Sequence, residues 1–73
     1  MVYILDNEPR NTSISARLQK LIDEGNKVVI WPTNIKQKDI NDMHLAGIPV
    51  SDVIKLNTYS GLTAQLKYNE WKK

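Results

Sequence analysis

The stretch "VYILDNEPRN", residues 2–11, decides the fold, because in it an apolar run stops at two carboxylates. Val2 to Leu5 contains β-branched and aromatic residues and no charge, which is typical of a strand buried on both faces of a parallel sheet. Asp6 and Glu8 follow directly, and Pro9 then interrupts the chain. In open α/β sheets, ligands bind in the crevice beyond the carboxyl ends of the strands. The stretch therefore predicts a buried strand with a candidate ligand site at its end.

A helix and a second strand follow, and together they predict a βαβ unit. Apolar residues recur at helical spacing from Ile14 to Ile22, and Gly25 stands where a left-handed residue closes a helix. The candidates for the N-cap are Asn11, Thr12 and Ser13. Residues 28–31, Val-Val-Ile-Trp, form another continuous apolar run. Strand, helix and strand within about 30 residues fit a parallel crossover.

The rest of the chain predicts three helices. Asp39 can cap a short helix through Ala46 that Gly47 closes, and Ser51 or Asp52 can cap another. The last helical pattern begins at Ser60, and its predicted inward residues are Leu62 and Leu66, with Tyr59 and Trp71 as further candidates for the same side.

The predicted fold class is α/β: a small parallel-sheet βαβ unit with additional C-terminal helices. Residues 1–73 form one small domain or fragment, with its core at 2–47 and a helical tail at 48–73. Two parallel strands leave their outer edges unpaired, and such edges recruit other strands. We therefore expect further strands to come from an N-terminal segment or from a second copy of the chain.

Composition excludes several classes of protein. The 73 residues include ten basic and eight acidic ones, and the net charge of +2 does not by itself identify a nucleic-acid binder. The absence of cysteine excludes disulfides and thiolate metal sites. No apolar run approaches the roughly 20 residues of a membrane span, and no signal peptide is recognisable. We expect a cytoplasmic protein without membrane contact.

The acidic residues after the two strands are the candidates for chemistry. If the backbone stays extended, Asp6 and Glu8 point the same way, and paired carboxylates suit a hard cation such as Mg²⁺. Asp39 and Asp42 follow the second strand and could approach the same edge. The alternative is a solvated acidic loop that favours the next helix N-terminus. Lys36 and Lys38 are candidates for phosphate contacts as point charges or, alternatively, for a solvated loop.

"YILDNEPRN", followed by a helix and by "KVVIWPTNIKQKDINDMHLAG", resembles the later half of a Toprim domain, the fold shared by topoisomerases and bacterial-type primases. The closest likeness is to the primases and primase-helicases of tailed phages. The matching positions are Pro32, Lys38-Asp39, Asn41-Asp42 and Leu45-Ala46-Gly47. The end of the chain, "NTYSGLTAQLKYNEWKK", is also similar to the ends of phage primases.

The resemblance implies a function in DNA replication. Asp6 and Glu8 would bind Mg²⁺, with Glu8 replacing the more usual Asp, and Asp39 would help to hold the metal or a nucleotide phosphate. Such ions orient a nucleoside triphosphate during nucleotidyl transfer. The resemblance further implies contacts to DNA or nucleotide, and a host cytoplasm as location. The residues implied in phosphate or nucleic-acid contact are Arg10, Lys36 and Lys38.

The Toprim family also uses a glutamate on an earlier strand, and no residue before Val2 can supply it. We therefore expect this chain to resemble half a domain and to synthesise no primers alone. A different hypothesis is a small α/β interaction module that homodimerises without chemistry, either through strand edges or through an apolar sheet face. A third is a receiver-like phosphoacceptor domain that uses Asp6.

Overall fold

Three short strands form one mixed sheet with four helices around it. The computed structural model describes all residues from Met1 to Lys73. The strands are β1 (Val2–Tyr3), β2 (Lys27–Val29) and β3 (Thr58–Tyr59). The helices are α1 (Thr12–Asp23), α2 (Ile40–Leu45), α3 (Val50–Leu56) and α4 (Gly61–Lys72). The predicted α/β class is confirmed.

The sheet has the order β1-β2-β3, with β2 in the centre. Tyr3 lies opposite Val28 in the parallel β1–β2 pair, so the predicted parallel βαβ unit is confirmed. Val28 also lies opposite Tyr59 in the antiparallel β2–β3 pair. A hydrogen bond from the Ile30 amide to the Asn57 carbonyl, 3.0 Å, continues this contact. One additional strand therefore comes from the C-terminal part of this chain, where the sequence predicted only helix, and β1 keeps an unpaired outer edge.

The two predicted buried strands differ in their exposure. Residues 28–31 are all buried, as the continuous apolar run predicted. Val2 and Ile4 are instead each 40% exposed, while Tyr3 and Leu5 are partly buried. The prediction that the first strand is buried on both faces was wrong. Successive side chains of a strand point to opposite faces of the sheet, and here only the face of Tyr3 and Leu5 packs against the core.

Local sequence rules place the ends of α1. The Asn11 side chain accepts hydrogen bonds from the amides of Ser13 and Ile14, at 3.0 and 3.2 Å, so Asn11 is the N-cap. Gly25 has φ +82° and donates to the Ile22 carbonyl, in the left-handed conformation that the sequence predicted. The buried side chains of α1 are Ser15, Leu18, Leu21 and Ile22. Helix α1 therefore packs its apolar stripe against β2 and α4.

Helix α4 buries a different face from the one that the sequence predicted. Leu62 and Leu66 are 77% and 56% exposed, so their predicted inward orientation was wrong. Ala64, Tyr68 and Trp71 are buried, and the prediction for Trp71 is confirmed. The two aromatic rings bury more area than the leucines would, and their polar tips find hydrogen-bond partners inside. Their rings lie 6.1 Å apart between centroids.

The remaining helices are short and only partly follow prediction. Gly47 has φ +80° and closes α2 as predicted. Helix α3 begins after Pro49 and has no side-chain cap, so the predicted caps Ser51 and Asp52 were wrong. Met43 of α2 is completely buried in the core. None of the helices has the length and apolar character that crossing a membrane requires.

Candidate site at the end of the first strand

The chain turns sharply just after β1, at the acidic pair. The Glu8 amide donates to the Asp6 carbonyl at 2.9 Å, which closes a three-residue turn centred on Asn7. The extended backbone assumed from the sequence is therefore not present here. Asp6 is exposed and Glu8 is partly exposed, whereas Asn7 between them is buried. We call residues 6–8 the acidic turn.

Asn7 holds the acidic turn against the rest of the molecule. Its Nδ2 donates to the carbonyls of Ile35 and Gln37, both at 2.9 Å, and its backbone amide donates to the Lys38 carbonyl at 2.6 Å. Its Oδ1 accepts a hydrogen bond from Nε1 of Trp71 at 2.9 Å. The role of Asn7 was not predicted from the sequence. The one local indication was an amide side chain placed between two carboxylates, directly after an apolar strand.

A second indole fixes the end of β1 itself. Nε1 of Trp31 donates to the Leu5 carbonyl at 2.8 Å, one residue before the acidic turn. Trp31 lies in the core, at the end of the continuous apolar run of residues 28–31. The residues before and within the turn are therefore each tied to a buried tryptophan.

Asp39 has a structural role in this arrangement. Its Oδ1 accepts a hydrogen bond from the Asp42 amide at 2.8 Å and caps α2, as predicted. No three Asp, Glu or His side chains come together closely enough to hold a metal ion. The structure therefore does not assemble Asp6, Glu8 and Asp39 into a three-carboxylate centre. The acidic turn presents one exposed and one partly exposed carboxylate, and proteins commonly hold Mg²⁺ through one or two carboxylates, waters and substrate phosphates.

The predicted lysines differ in what they contact. Nζ of Lys38 lies 3.4 Å from Oε1 of Glu8 and forms an ion pair with it. The Lys38 side chain is 64% exposed, so this pair is of the surface type that contributes little to stability. Nζ of Lys36 donates to the Thr33 carbonyl at 3.2 Å and is otherwise exposed. Lys38 thus offsets part of the negative charge of the acidic turn.

Two clefts adjoin the turn, and Arg10 and Lys73 line both of them. The first, of about 470 Å³, also includes Lys36, Glu70 and Trp71 in its wall. The second, of about 720 Å³, lies between α1 and α4, and no acidic side chain lines it. Its further lining residues include Thr12, Gln19, Tyr68 and Lys72. Arg10 and Lys36 were predicted from the sequence as phosphate contacts. Lys72 and Lys73 were not, because they reach this surface only when α4 packs on α1.

Fold and site together define a small α/β unit whose sheet carries an acidic turn at the carboxyl edge of a parallel strand pair, beside basic clefts. This is the edge at which α/β proteins bind ligands. The chain is 35% identical, over 77 residues, to the DNA primase of Enterobacteria phage T4. The match covers 99% of this chain and 22% of that primase, so the chain spans about a fifth of its relative's length. No family model matches the chain. The chain is therefore similar to one segment of a phage DNA primase.

Proposed function

We propose that this chain corresponds to the metal-binding half of a Toprim domain of the phage primase type. The observation that carries the proposal is the acidic turn at the carboxyl edge of the β1–β2 pair, in a chain that is 35% identical to a phage DNA primase along nearly its whole length. On this proposal Asp6 and Glu8 bind Mg²⁺ during nucleotidyl transfer in DNA replication. The activity of a complete primase requires residues beyond these two carboxylates.

The acidic turn contributes two carboxylates that need little rearrangement to reach a cation. Asp6 is exposed, and the Glu8 carboxylate is engaged only by the weak ion pair with Lys38. A bound Mg²⁺ would supply positive charge for phosphate oxygens during phosphoryl transfer. One carboxylate oxygen of Asp39 accepts the hydrogen bond that caps α2. Because Asp39 joins no cluster of acidic side chains, the proposed magnesium site consists of Asp6 and Glu8 without Asp39.

Arg10 and Lys36 are the proposed phosphate contacts beside the metal site. Both line the cleft of about 470 Å³ that Asn7 also lines, and neither forms an ion pair with a carboxylate. Arg10 can contact a phosphate with two donors, and Lys36 acts as a point charge. Lys38 is the proposed third contact, which a phosphate or metal would release from Glu8. DNA or nucleotide is the proposed ligand of this cleft.

A Mg²⁺ titration of the ¹⁵N-labelled chain, followed by amide chemical shifts, tests the metal site. We expect saturable shifts at residues 6–8 that Asp6→Asn weakens at least several-fold. Asp52→Asn is the matched control, because Asp52 is an exposed carboxylate on α3 without a side-chain hydrogen bond or ion pair. Equal effects of the two substitutions, or the absence of saturable shifts in the wild-type chain, would show that the acidic turn is not a magnesium site.

A second candidate function is self-association without chemistry, and the free edge of β1 favours it. Only β2 pairs with β1, and the C-terminal segment adds its strand to β2 instead. Met1, Val2 and Ile4 expose apolar side chains at this edge strand. Unprotected edges of this kind recruit another strand. A homodimer about a two-fold axis is the commonest arrangement for identical chains.

A further inference from the structure

Asn7 is one of two buried polar residues in the chain, and its partners lie far away in the sequence. The partners of its side chain are 28, 30 and 64 residues distant. They belong to two separate segments, the loop before α2 and the last turn of α4. A residue needed only to complete a local turn would not require these contacts.

We propose that Asn7 is a positioning residue that fixes the acidic turn and, through Trp71, couples it to the docking of α4. The identity of the ligand, Mg²⁺, rests on the function proposed above, whereas the coupling rests on the hydrogen bonds of Asn7. Because Asn7 is held inside, Asp6 and Glu8 are held on either side of it at a closed turn.

The position requires a neutral group with two donors and one acceptor. Asn7 directs Nδ2 at two carbonyl oxygens and Oδ1 at an indole N–H. An aspartate here would direct a charged oxygen at the same carbonyls and would add a third charge between Asp6 and Glu8. An apolar side chain would leave all three partners without a hydrogen bond, which is costly for buried groups. Only a short amide satisfies every partner.

The contact to Trp71 makes the coupling reciprocal. Trp71 is buried in the last turn of α4 and packs beside Tyr68. If the docked helix stabilises the turn that binds a cation, then cation binding must stabilise the docked helix by the same free energy. The Trp71 indole N–H consequently serves as a reporter for the acidic turn, although it is 64 residues away in the chain.

Two substitutions in α4 separate this coupling from general stability. Trp71→Phe removes the donor to Asn7 but keeps an aromatic ring. Tyr68→Phe is the matched control, because it removes a buried hydrogen bond from the same helix, 3.0 Å to the Ser15 carbonyl, without touching the acidic turn. Asn7→Leu keeps roughly the size of the side chain but removes the acceptor of the Trp71 N–H together with both donors, and it tests the same link if Trp71→Phe fails to fold.

Amide hydrogen exchange without metal gives the first measurement. The Asn7 and Glu8 amides donate to Lys38 and Asp6 respectively, so they report on the closed turn. We expect both amides to exchange about five- to tenfold faster in Trp71→Phe than in Tyr68→Phe. This factor corresponds to the net free energy that one hydrogen bond contributes to stability. Equal exchange rates in the two variants would overturn the proposal.

A Mg²⁺ titration of the same three proteins gives the second measurement. We expect the Trp71 indole signal to shift with the same midpoint as the Asp6 and Glu8 amides, and Trp71→Phe to weaken binding several-fold while Tyr68→Phe leaves it unchanged. Weakening by both substitutions alike would contradict the coupling. If the wild-type chain shows no binding, the proposed magnesium function fails, and the exchange rates alone still decide the role of Asn7.

Discussion

Substitution of Asp39 distinguishes a helix cap from a metal ligand. The Asp39 carboxylate accepts from the Asp42 amide at 2.8 Å, and its carbonyl accepts the first bond of α2 from Met43 at 3.0 Å. Asp39→Ala removes the side-chain acceptor, and loss of such a cap costs about 1 kcal/mol. In a domain of this size that free energy lowers the Tm by roughly 4–8 °C. Asp39→Asn keeps a capping oxygen and should stay within a few tenths of a kcal/mol of the wild type, because Asn caps about as well as Asp.

Urea unfolding followed by the fluorescence of the two buried tryptophans measures the free energies, and a Mg²⁺ titration of each variant measures binding. We expect Asp39→Ala alone to be destabilised and both variants to bind Mg²⁺ like the wild type, because Asp39 joins no cluster of carboxylates. Asp42→Ala, in the first turn of the same helix, is the control and should cost only a few tenths of a kcal/mol. If the free energy of unfolding of Asp39→Ala equals that of the wild type, Asp39 does not act as a cap. Unchanged stability with at least fivefold weaker Mg²⁺ binding in Asp39→Asn would instead identify Asp39 as a ligand.

Three other predictions concern the core, the free edge and the exposed face of α4. Met43→Ala should cost about 2–5 kcal/mol in urea unfolding, because Met43 is completely buried; a loss below about 1 kcal/mol would contradict its central position. Sedimentation equilibrium at high micromolar concentration should show a dimer that Ile4→Lys dissociates, and a wild-type species near the 8.4 kDa chain mass would exclude self-association. Leu66→Lys should change the free energy of unfolding by less than about 0.5 kcal/mol, since Leu66 is mostly exposed; a larger loss would mean that this face is covered.

The sequence predicted the elements whose ends follow local rules. Helix α1 has an apolar stripe, an asparagine cap and a left-handed glycine, and each acts within a few residues of its own position. Strand β2 was recognisable because residues 28–31 are apolar without interruption. In the structure all four of these residues are buried. Asp39 and Gly47 marked the limits of α2 by the same rules.

Strand β3 and the orientation of α4 depend on distant contacts, and the sequence predicted neither. Thr58 and Tyr59 are too few to show an alternating pattern, and they form a strand because β2 offers them an edge. In α4 the sequence grouped Trp71 with the leucines, but the buried face joins Trp71 to Ala64 and Tyr68. Their polar atoms are satisfied by Ser15 and Asn7, which no local pattern shows.

The candidate site was only partly predictable for the same reason. The position of Asp6 and Glu8 after a strand follows from their place in the sequence. The grouping with Asp39 depended on how two loops approach each other, and the structure uses Asp39 to cap α2. Asn7 has no local partner for its side chain, so its importance became evident only when the loop before α2 and the end of α4 were in place.

The order Asp-Asn-Glu allows a strand to end on charges without burying one. A buried carboxylate is far more costly than a buried amide with all its hydrogen bonds made. At this turn the buried position is taken by Asn7, which is neutral and fully bonded, and the charged positions on either side remain accessible to solvent. The amide thus anchors the backbone while both carboxylates stay available to a cation. If the middle residue were acidic as well, its side chain would either leave the interior, so that the anchor of the turn is lost, or bury a negative charge. The neutral amide of Asn7 avoids both outcomes.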